Sequence, residues 1–514
     1  MWGRVGFPKW IHPNSYTTAK RCVCVVSMQY KYTVLMNTTI ASFMAFLDSN
    51  IVVISLPTIV RTLRGTTPFD AVWLIMGYSI VSATMLLTLG RLADMFGRVR
   101  LYNLGFAVFT AGSALCSAAW SGSSLVVFRM IQGLGGALIF ANNSAIITDA
   151  FPVNERGRAI GINQVVGIAG SILALVLGGV LTSTLGWRSI FWVNILPGGF
   201  ATVWAYMRLR ELSQPQRTER VDYYGNALFG PGLGFFLLGS TIGALDGFNP
   251  LYDALMAAGL VLLALFPLVE LRAFHPMMDL KLFRIREFSG AAFSNLLNAV
   301  ARGGLSLILV LYFQGALLYS ALQAGVDLIP FSLAFVSAGP LSGALSDKYG
   351  PRLFVIAGVL LGSASLFWFA LLPAGAGYVY IAAPMVIGGI GGGMFAAPNL
   401  ASLMNSVPPP RRGVASGMAS LLFNVGSLLS ISISFVIMAS LIPRNSLELI
   451  FAGVAVPGGL NLQIFSKAMH TTFIVLAVLN TLALIPLAYR WLPRRGRMGD
   501  AQNSEDPPSI NASA

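Results

Sequence analysis

The sequence predicts an all-α integral membrane protein with fourteen transmembrane helices, in which two pseudo-symmetric six-helix bundles are separated by two inserted helices. Composition is the first reason, because 56% of the 514 residues are hydrophobic and only 10% are charged. A soluble domain carries about 25% charged residues, so much of this surface is expected to face lipid. The other reasons are the number of long apolar runs and two motifs that each occur twice.

Fourteen runs reach the ~20 mostly apolar residues that a helix needs to cross a bilayer core. They lie near residues 33–58, 71–90, 101–120, 124–147, 159–183, 188–208, 223–243, 252–272, 288–317, 322–346, 352–373, 377–403, 413–442 and 468–491. With a cytoplasmic N-terminus, 26 of the 33 Lys and Arg residues fall in cytoplasmic segments, five outside and two within spans. Because cytoplasmic loops carry an excess of positive charge, both termini are predicted to be cytoplasmic, in a multi-pass protein of the plasma membrane.

The spans and loops divide the chain into five parts. These are a cytoplasmic N-terminal tail (1–32), an N-terminal six-helix bundle (33–208), two inserted helices with their linkers (209–287), a C-terminal six-helix bundle (288–492) and a disordered cytoplasmic tail (493–514). No loop is long enough to hold a soluble catalytic domain, so the protein is not expected to be an enzyme.

Other classes of function are also excluded by residue pattern. The net charge of +14 is spread between apolar runs instead of forming one patch, which argues against nucleic acid and favours loops beside lipid headgroups. The three cysteines and three histidines have no metal-site spacing, and no Walker sequence is present. We therefore expect no metal and no cofactor.

Two motifs repeat in the same order in the two halves. A G-x-L-x-D-x-x-G loop with basic residues after it follows the second span and again the tenth span; its members are Gly90, Asp94, Gly97, Arg98 and Arg100, then Gly343, Asp347, Gly350 and Arg352. An Arg-Gly pair follows the fourth span at Arg156 and the twelfth at Arg412. The repeats make the first six and last six spans equivalent, so the seventh and eighth spans are an insertion.

These motifs resemble those of the major facilitator superfamily, and specifically its fourteen-helix drug:proton antiporter branch. The Gly90 loop is similar to the superfamily motif between helices 2 and 3, and the segment from Arg129 to Gly136 is similar to the helix-4 motif R-x-x-Q-G-x-G. Leu47–Pro57 resembles the helix-1 motif L-D-x-T-I-V-N-V-A-L-P. The resemblance covers roughly residues 33–492.

The resemblance implies a secondary active transporter that exports amphipathic drugs or other small organic compounds by alternating access. Its partners would be the small-molecule substrate, protons and the bilayer, and it would act as a monomer driven by the proton gradient. The fifth helix has Ala174-Leu175 where the antiporter motif has Gly-Pro, and Asn50 replaces Thr in the first helix. These departures leave open an importer, a facilitator, or a lipid or siderophore exporter without drug specificity.

Asp48 and Arg129 are the predicted proton-coupling residues. An acidic group well inside a span costs on the order of 2.5–3.5 kcal/mol or more, so Asp48 is expected to serve a function. Arg129 could lie at a similar depth and stabilise ionised Asp48. The alternatives are a purely structural ion pair for Asp48 and a snorkelling side chain for Arg129.

A polar stripe along the ninth span is predicted to line the substrate cavity. Asn295, Asn298, Arg302 and Ser306 are spaced by three, four and four residues, which places them on one helix face. They would contact substrate or hold helices together, and Asp48 is one candidate partner for Arg302. Further cavity residues are predicted at Asn50, Gln132, Asn142 and Asn399.

The two repeated loops are predicted to form the cytoplasmic gate. The gate residues are Gly90, Asp94, Gly97, Arg98, Arg100, Asp347 and Arg352. The carboxylates can pair with Arg or cap a helix, and the glycines allow a tight turn and close helix approach. A plain turn-forming role is the alternative.

Overall fold

The computed structural model describes residues 15–213, 221–274, 276–408, 411–457 and 461–491. Within these ranges it contains helices and no strand, and fourteen helices are long and apolar enough to cross a membrane. The predicted all-α architecture and its fourteen spans are confirmed. The first helix already begins at Ser15, so part of the predicted tail is helical, whereas residues 1–14 and the C-terminal tail from 492 onward lie outside the described residues.

The helices follow the predicted spans closely. The first bundle comprises α1 (Ser15–Thr62), α2 (Pro68–Phe96), α3 (Arg98–Ser117), α4 (Gly122–Ala150), α5 (Val153–Thr184) and α6 (Ser189–Arg208). The inserted pair is α7 (Tyr223–Asp246) and α8 (Pro250–Glu270). The last part comprises α9 (Arg286–Arg302), α10 (Leu305–Val310), α11 (Ala321–Asp327), α12 (Ile329–Tyr349), α13 (Pro351–Ala370), α14 (Tyr378–Asn405), α15 (Arg412–Leu441), α16 (Arg444–Phe451), α17 (Asn461–Leu482) and α18 (Leu484–Trp491). A π-helical turn at Leu311–Ala316 continues α10, and a 3₁₀ turn at Leu280–Arg284 precedes α9.

Local sequence explains where the helices begin and end. Thr67 and Asp70 form a reciprocal capping box at the start of α2, and each satisfies a backbone N–H that the first helical turn leaves free. Gly97 and Gly350 separate α2 from α3 and α12 from α13 with φ values of +112° and +83°. Only glycine adopts such angles without strain, so these two motif positions do form tight turns.

The two halves meet closely on the side of the bundle opposite to the start of α1 and the end of α18. We call this the far side and the other the terminal side. A Cβ on Gly325 of α11 would lie 2.2 Å from the Leu175 carbonyl oxygen of α5, and Gln314 donates a hydrogen bond of 2.7 Å to the Ile54 carbonyl of α1. The departure from the antiporter motif in the fifth helix, at Leu175, therefore lies directly in this contact between the halves.

The inserted helices lie along the seam between the halves. α7 packs against α8, and also against α2 of the first half and α15 of the second. Thr88 of α2 donates to Asn226 of α7 at 2.5 Å, while the hydroxyls of Ser240 in α7 and Ser432 in α15 are 3.0 Å apart. The insertion thus touches both halves instead of belonging to either one.

Candidate functional site

Asp48 lies at the centre of a buried polar cluster in the first half. Its side chain is 0% exposed and accepts hydrogen bonds from three residues on two neighbouring helices. Arg129 Nη1 lies 2.6 Å from Oδ2, and Gln132 Nε2 and Asn194 Nδ2 lie 2.9 and 2.8 Å from Oδ1. The cluster joins α1, α4 and α6, and the charge of Asp48 is balanced by Arg129.

Arg129 contacts charged, amide, carbonyl and aromatic groups. It is 1% exposed, so it is not a snorkelling side chain. Its Nη1 also donates to Gln132 Oε1 at 2.7 Å, its Nε donates to the Leu74 carbonyl at 3.2 Å, and its guanidinium lies 4.4 Å from the centre of the Tyr78 ring. Such contacts from both charged and neutral groups are what a desolvated guanidinium requires.

The glycines of the helix-4 motif explain how α2 comes close enough to α4 for Leu74 and Tyr78 to contact Arg129. A Cβ on Gly133 would lie 2.6 Å from the Tyr78 carbonyl oxygen, and a Cβ on Gly136 would lie 2.5 Å from the Tyr78 hydroxyl. Small residues let helix backbones approach in a membrane, so the motif combines an ion-pair residue with the surface that packs against it.

Three residues predicted to line the cavity are instead buried between helices. Gln132 belongs to the Asp48 cluster, and Asn142 donates to the Leu138 carbonyl of its own helix at 2.8 Å. Asn399 donates to the Ala291 carbonyl of α9 at 3.0 Å. These residues are at most 2% exposed in this structure, and their contact with substrate stays a prediction. Each satisfies its amide within one half, where an unpaired amide would be costly.

Asn50 is the one member of that set that is partly exposed. Its amide nitrogen donates to the Phe46 carbonyl at 3.0 Å and to Ser171 of α5 at 3.3 Å. The side chain is only partly buried, and its contact with substrate stays a prediction.

The break in the ninth span separates only Ser306 from the other residues of the predicted stripe. α9 ends at Arg302, and Gly303 and Gly304 precede α10. Asn295 donates to the Ala419 carbonyl of α15 at 3.0 Å, whereas Asn298 donates to Asn480 of α17 at 2.9 Å. In this structure the two asparagines hold helices together, which is one of the two predicted roles, and their contact with substrate stays a prediction; Asn295 and Ser306 are only partly buried.

Arg302 is not paired with Asp48. Its guanidinium lies over Phe331 and Phe335 of α12, at 5.6 and 5.2 Å from the ring centres. The proposed partnership across the halves is wrong because Arg129, Gln132 and Asn194 already occupy the oxygens of Asp48.

The two gate loops differ in their contacts. Arg98 Nε lies 2.8 Å from Asp94, and Arg98 Nη1 lies 2.9 Å from Asp149 at the end of α4. All these groups belong to the first half. In the second loop Asp347 and Arg352 are exposed, and the Arg352 guanidinium lies 5.8 Å from the Trp491 ring.

The remaining gate residues are exposed or make ordinary van der Waals contacts. Arg100 is exposed on α3. A Cβ on Gly90 would lie 3.8 Å from Ala141 Cβ, and one on Gly343 would lie 3.7 Å from Ala397 Cβ. These are ordinary contacts, so the interpretation that these two glycines permit close helix approach is wrong.

Sequence reasoning missed several buried polar residues. Asn194 of α6, which donates to Asp48, is one of them. Ser42, Asn143 and Asn163 form another network, in which Ser42 donates to Asn163 at 2.6 Å and accepts from Asn143 at 2.6 Å. Polar side chains inside apolar spans are the only sequence signal for such contacts, and it does not identify the partners.

Outside the spans, Asp222 anchors the linker that follows the inserted pair. Its carboxylate accepts hydrogen bonds from the backbone N–H groups of Gly225 at 2.8 Å and Met277 at 3.1 Å. Burial opposes its charge, but hydrogen bonding to Glu270 and to these N–H groups outweighs burial and lowers the pKa of Asp222. Arg91 of α2 also donates to the Pro276 carbonyl, so this linker is fixed to the first half.

Comparison with known proteins identifies the family. The profile of the Major Facilitator Superfamily matches residues 38–281 and 291–512. The chain is 31% identical over 401 residues to the riboflavin transporter RibZ of Clostridioides difficile, covering 77% of this chain and 86% of that protein. It is 32% identical over 410 residues to the multidrug resistance protein Stp of Mycobacterium tuberculosis, covering 78% and 74%. It is 29% identical over 407 residues to the tetracenomycin C resistance and export protein of Streptomyces glaucescens, covering 79% and 76%.

Solved structures support the same fold. A bacterial homologue of the human lysosomal transporter Spinster, solved in an inward-facing conformation, superposes with a TM-score of 0.64 at 19% identity, covering 90% of this chain and 97% of that one. An auto-inhibited peptide transporter of the POT family gives 0.63 at 18% identity, covering 93% and 99%. The predicted resemblance is confirmed, and the relatives' names fit its multidrug-efflux branch. The chain belongs to the Major Facilitator Superfamily and is a multi-pass membrane transporter, not an enzyme.

Proposed function

We propose that this transporter exports amphipathic small organic compounds in exchange for protons. The observation that carries the proposal is the Asp48–Arg129 pair, with its 2.6 Å contact buried in the first half. Two of the relatives described above are named for multidrug resistance or for export of an organic compound. A carboxylate at this depth is costly unless it serves a function, and a reversible proton site is such a function.

The geometry supports a direct coupling step. A proton arriving at Asp48 Oδ2 removes the charge that Arg129 Nη1 contacts, and Arg129 then keeps only Gln132, Leu74 and the Tyr78 ring. Removing one partner of a buried pair costs about 3–5 kcal/mol, so protonation favours rearrangement of α1 against α4. A membrane potential supplies about 2.3 kcal/mol per charge per 100 mV, which is of the same order.

The halves contact each other at several places. The far side is closed by α5 against α11 and by Gln314 against Ile54, and α2 and α15 also meet towards the terminal side, where a Cβ on Gly417 would lie 2.7 Å from Leu87 Cδ2. If both termini are cytoplasmic, as the distribution of Lys and Arg predicts, the far side is the outer side of the membrane. Export then requires the α5–α11 contact to separate, and Leu175 lies in that contact.

The test is flux in proteoliposomes that contain the purified full-length protein. Rhodamine 123 transport is measured with and without an imposed pH gradient, for the wild type and for Asp48→Asn. The wild type should accumulate dye against its gradient only when the pH gradient is present. Asp48→Asn should insert and fold, but should lose gradient-driven accumulation.

Asp70→Asn is the matched control. Asp70 is also a buried carboxylate, at 5% exposure, but it caps its own helix through Thr67 and forms no ion pair among the described residues. It should retain gradient-driven transport. Full accumulation by Asp48→Asn would refute the proton-coupling role.

Riboflavin transport is the second candidate, because RibZ matches over 86% of its length. The same vesicles distinguish the two. Gradient-dependent riboflavin flux that excludes rhodamine 123 would favour the second candidate over broad export.

A further inference from the structure

Arg302 is a cation in mid-membrane whose charge has no acidic partner. It is the seventeenth residue of the 31-residue span Arg286–Ala316, and it lies next to the break between α9 and α10. Among the residues that the structure describes, neither a carboxylate nor a hydrogen-bond acceptor contacts its guanidinium. A charge at this depth costs on the order of 2.5–3.5 kcal/mol or more, so the missing anion requires an explanation.

The surroundings of Arg302 favour a cation but do not satisfy its donors. Phe331 and Phe335 lie 5.6 and 5.2 Å from the guanidinium carbon. A Cβ on Gly392 of α14 would lie 2.0 Å from Nη1, so only glycine leaves room for the guanidinium there. Aromatic faces contribute about 0.5–2 kcal/mol to a cation, and they accept none of its five N–H groups in a conventional hydrogen bond.

Arg302 faces the interior of the second half and not lipid. In the span that contains Arg302, 72% of the residues in its apolar 18-residue stretch are buried. The corresponding share in the span Ala321–Tyr349 is 11%. An apolar groove of about 510 Å³ lies between α12 and α14, and Leu333 and Val386 line it. Phe335 is two residues from Leu333 and therefore lies about 200° around α12, on the opposite face.

Arg302 is not sealed within the protein. The residue is only partly buried, and its guanidinium lies against Gly392, which is about 120° around α14 from Val386 in the groove. A ligand therefore does not have to displace a protein acceptor to contact Arg302.

We infer that Arg302, with Phe331 and Phe335, is a recognition site for the anionic group of an aromatic substrate, such as a carboxylate or sulfonate. A guanidinium offers paired N–H donors that match a planar oxyanion, and the two phenyl rings supply the apolar surface for the attached ring system. The inference rests on the proposed function and narrows its substrate class to compounds that include organic anions.

The test compares two xanthene dyes of opposite charge, fluorescein and rhodamine 123. Fluorescence polarisation measures the binding of each dye to the purified full-length protein in detergent, without any gradient. Arg302→Gln should weaken fluorescein binding about 10- to 100-fold, as expected when hydrogen bonds to a charged group are lost. Rhodamine 123 binding should change by less than about twofold.

Two further variants separate charge from shape. Arg302→Lys keeps the charge but loses the paired donors, so it should bind fluorescein between the wild type and Arg302→Gln. Gly392→Ala displaces the guanidinium without removing it, and should also weaken fluorescein binding. Arg490→Gln is the control, because Arg490 is a buried cation of the same half that donates instead to Ser402 and Asn399.

Several outcomes would overturn the inference. They are no fluorescein binding by the wild type, unchanged binding by Arg302→Gln, or equal loss of both dyes in a variant that elutes as a monodisperse species. If Arg302→Gln does not fold, Arg302→Lys and Gly392→Ala decide the matter. Proton-independent flux would refute the proposed exchange mechanism, yet the dye-binding result would stand because it uses no gradient.

Discussion

The two halves treat a membrane-buried arginine in opposite ways. Arg129 contacts a carboxylate, an amide, a carbonyl and the Tyr78 ring, whereas Arg302 contacts two phenyl rings. The rings occupy equivalent positions, since Tyr78 lies 12 residues before Gly90 and Phe331 lies 12 residues before Gly343. A duplicated scaffold thus holds an ion pair in one half and, among the described residues, a cation without a carboxylate partner in the other.

The difference between the two arginines bears on the proposed proton exchange and the proposed substrate recognition. In the first half, Arg129 donates to the protein groups Asp48, Gln132 and Leu74. In the second half, the Arg302 guanidinium has donors to offer a ligand. The two proposals together place proton exchange in the first half and substrate recognition in the second, and the following variants test that division.

The largest expected effect is on stability after loss of Arg129. Arg129→Gln leaves Asp48 buried without its cation, which should lower the free energy of unfolding by about 3–5 kcal/mol. Arg302→Gln removes an unpaired charge and should leave stability unchanged or raise it. Thermal unfolding in detergent, followed by tryptophan fluorescence, measures both. Equal destabilisation by the two variants would contradict the proposed difference between Arg129 and Arg302.

Removing both charges of the Asp48–Arg129 pair should restore most of the stability that Arg129→Gln loses. Asp48→Asn combined with Arg129→Gln leaves no buried charge, and replacing a buried pair by neutral residues is often nearly neutral for stability. The double variant should therefore unfold at a higher temperature than Arg129→Gln alone, while gradient-driven flux stays absent. Additive destabilisation would mean that the two residues act independently.

Asn298 tests whether the rest of the ninth span is structural. Its amide bonds Asn480 at 2.9 Å, so Asn298→Ala should cost about 1–3 kcal/mol by leaving a buried partner unsatisfied. Fluorescein binding should stay at the wild-type level. A loss of fluorescein binding as large as that of Arg302→Gln would restore the predicted common cavity surface.

The smallest effect is expected at the gate loops. Asp94 pairs with Arg98, and partly exposed ion pairs contribute about 0.2–1 kcal/mol, so Asp94→Asn should shift the balance of open states up to about fivefold. Asp347→Asn should shift it less, because Asp347 is exposed and forms no ion pair in the described part of the chain. Cysteine labelling from each side measures the balance. Equal shifts would indicate that both loops contribute alike.

Much of the fold follows from the sequence because the bilayer imposes strong constraints on it. The length of each apolar run and the repeated loops at Gly90 and Gly343 are sufficient to predict fourteen spans and two equivalent halves. Asp48 and Arg129 could be singled out together from the sequence because charges inside spans are rare and costly, and the structure shows them as an ion pair. Composition and local pattern report these properties directly.

Partners across helices had to come from the tertiary structure. The same spacing that placed Asn295, Asn298 and Arg302 on one face gave no information on the neighbouring helices that they reach, which are α15, α17 and α12. Helix periodicity fixes direction within one helix, whereas hydrogen-bond partners depend on how helices cross. For this reason the sequence by itself determined the membrane architecture and the buried charges. Only the packing of helices decided that Arg129 is neutralised and Arg302 is not.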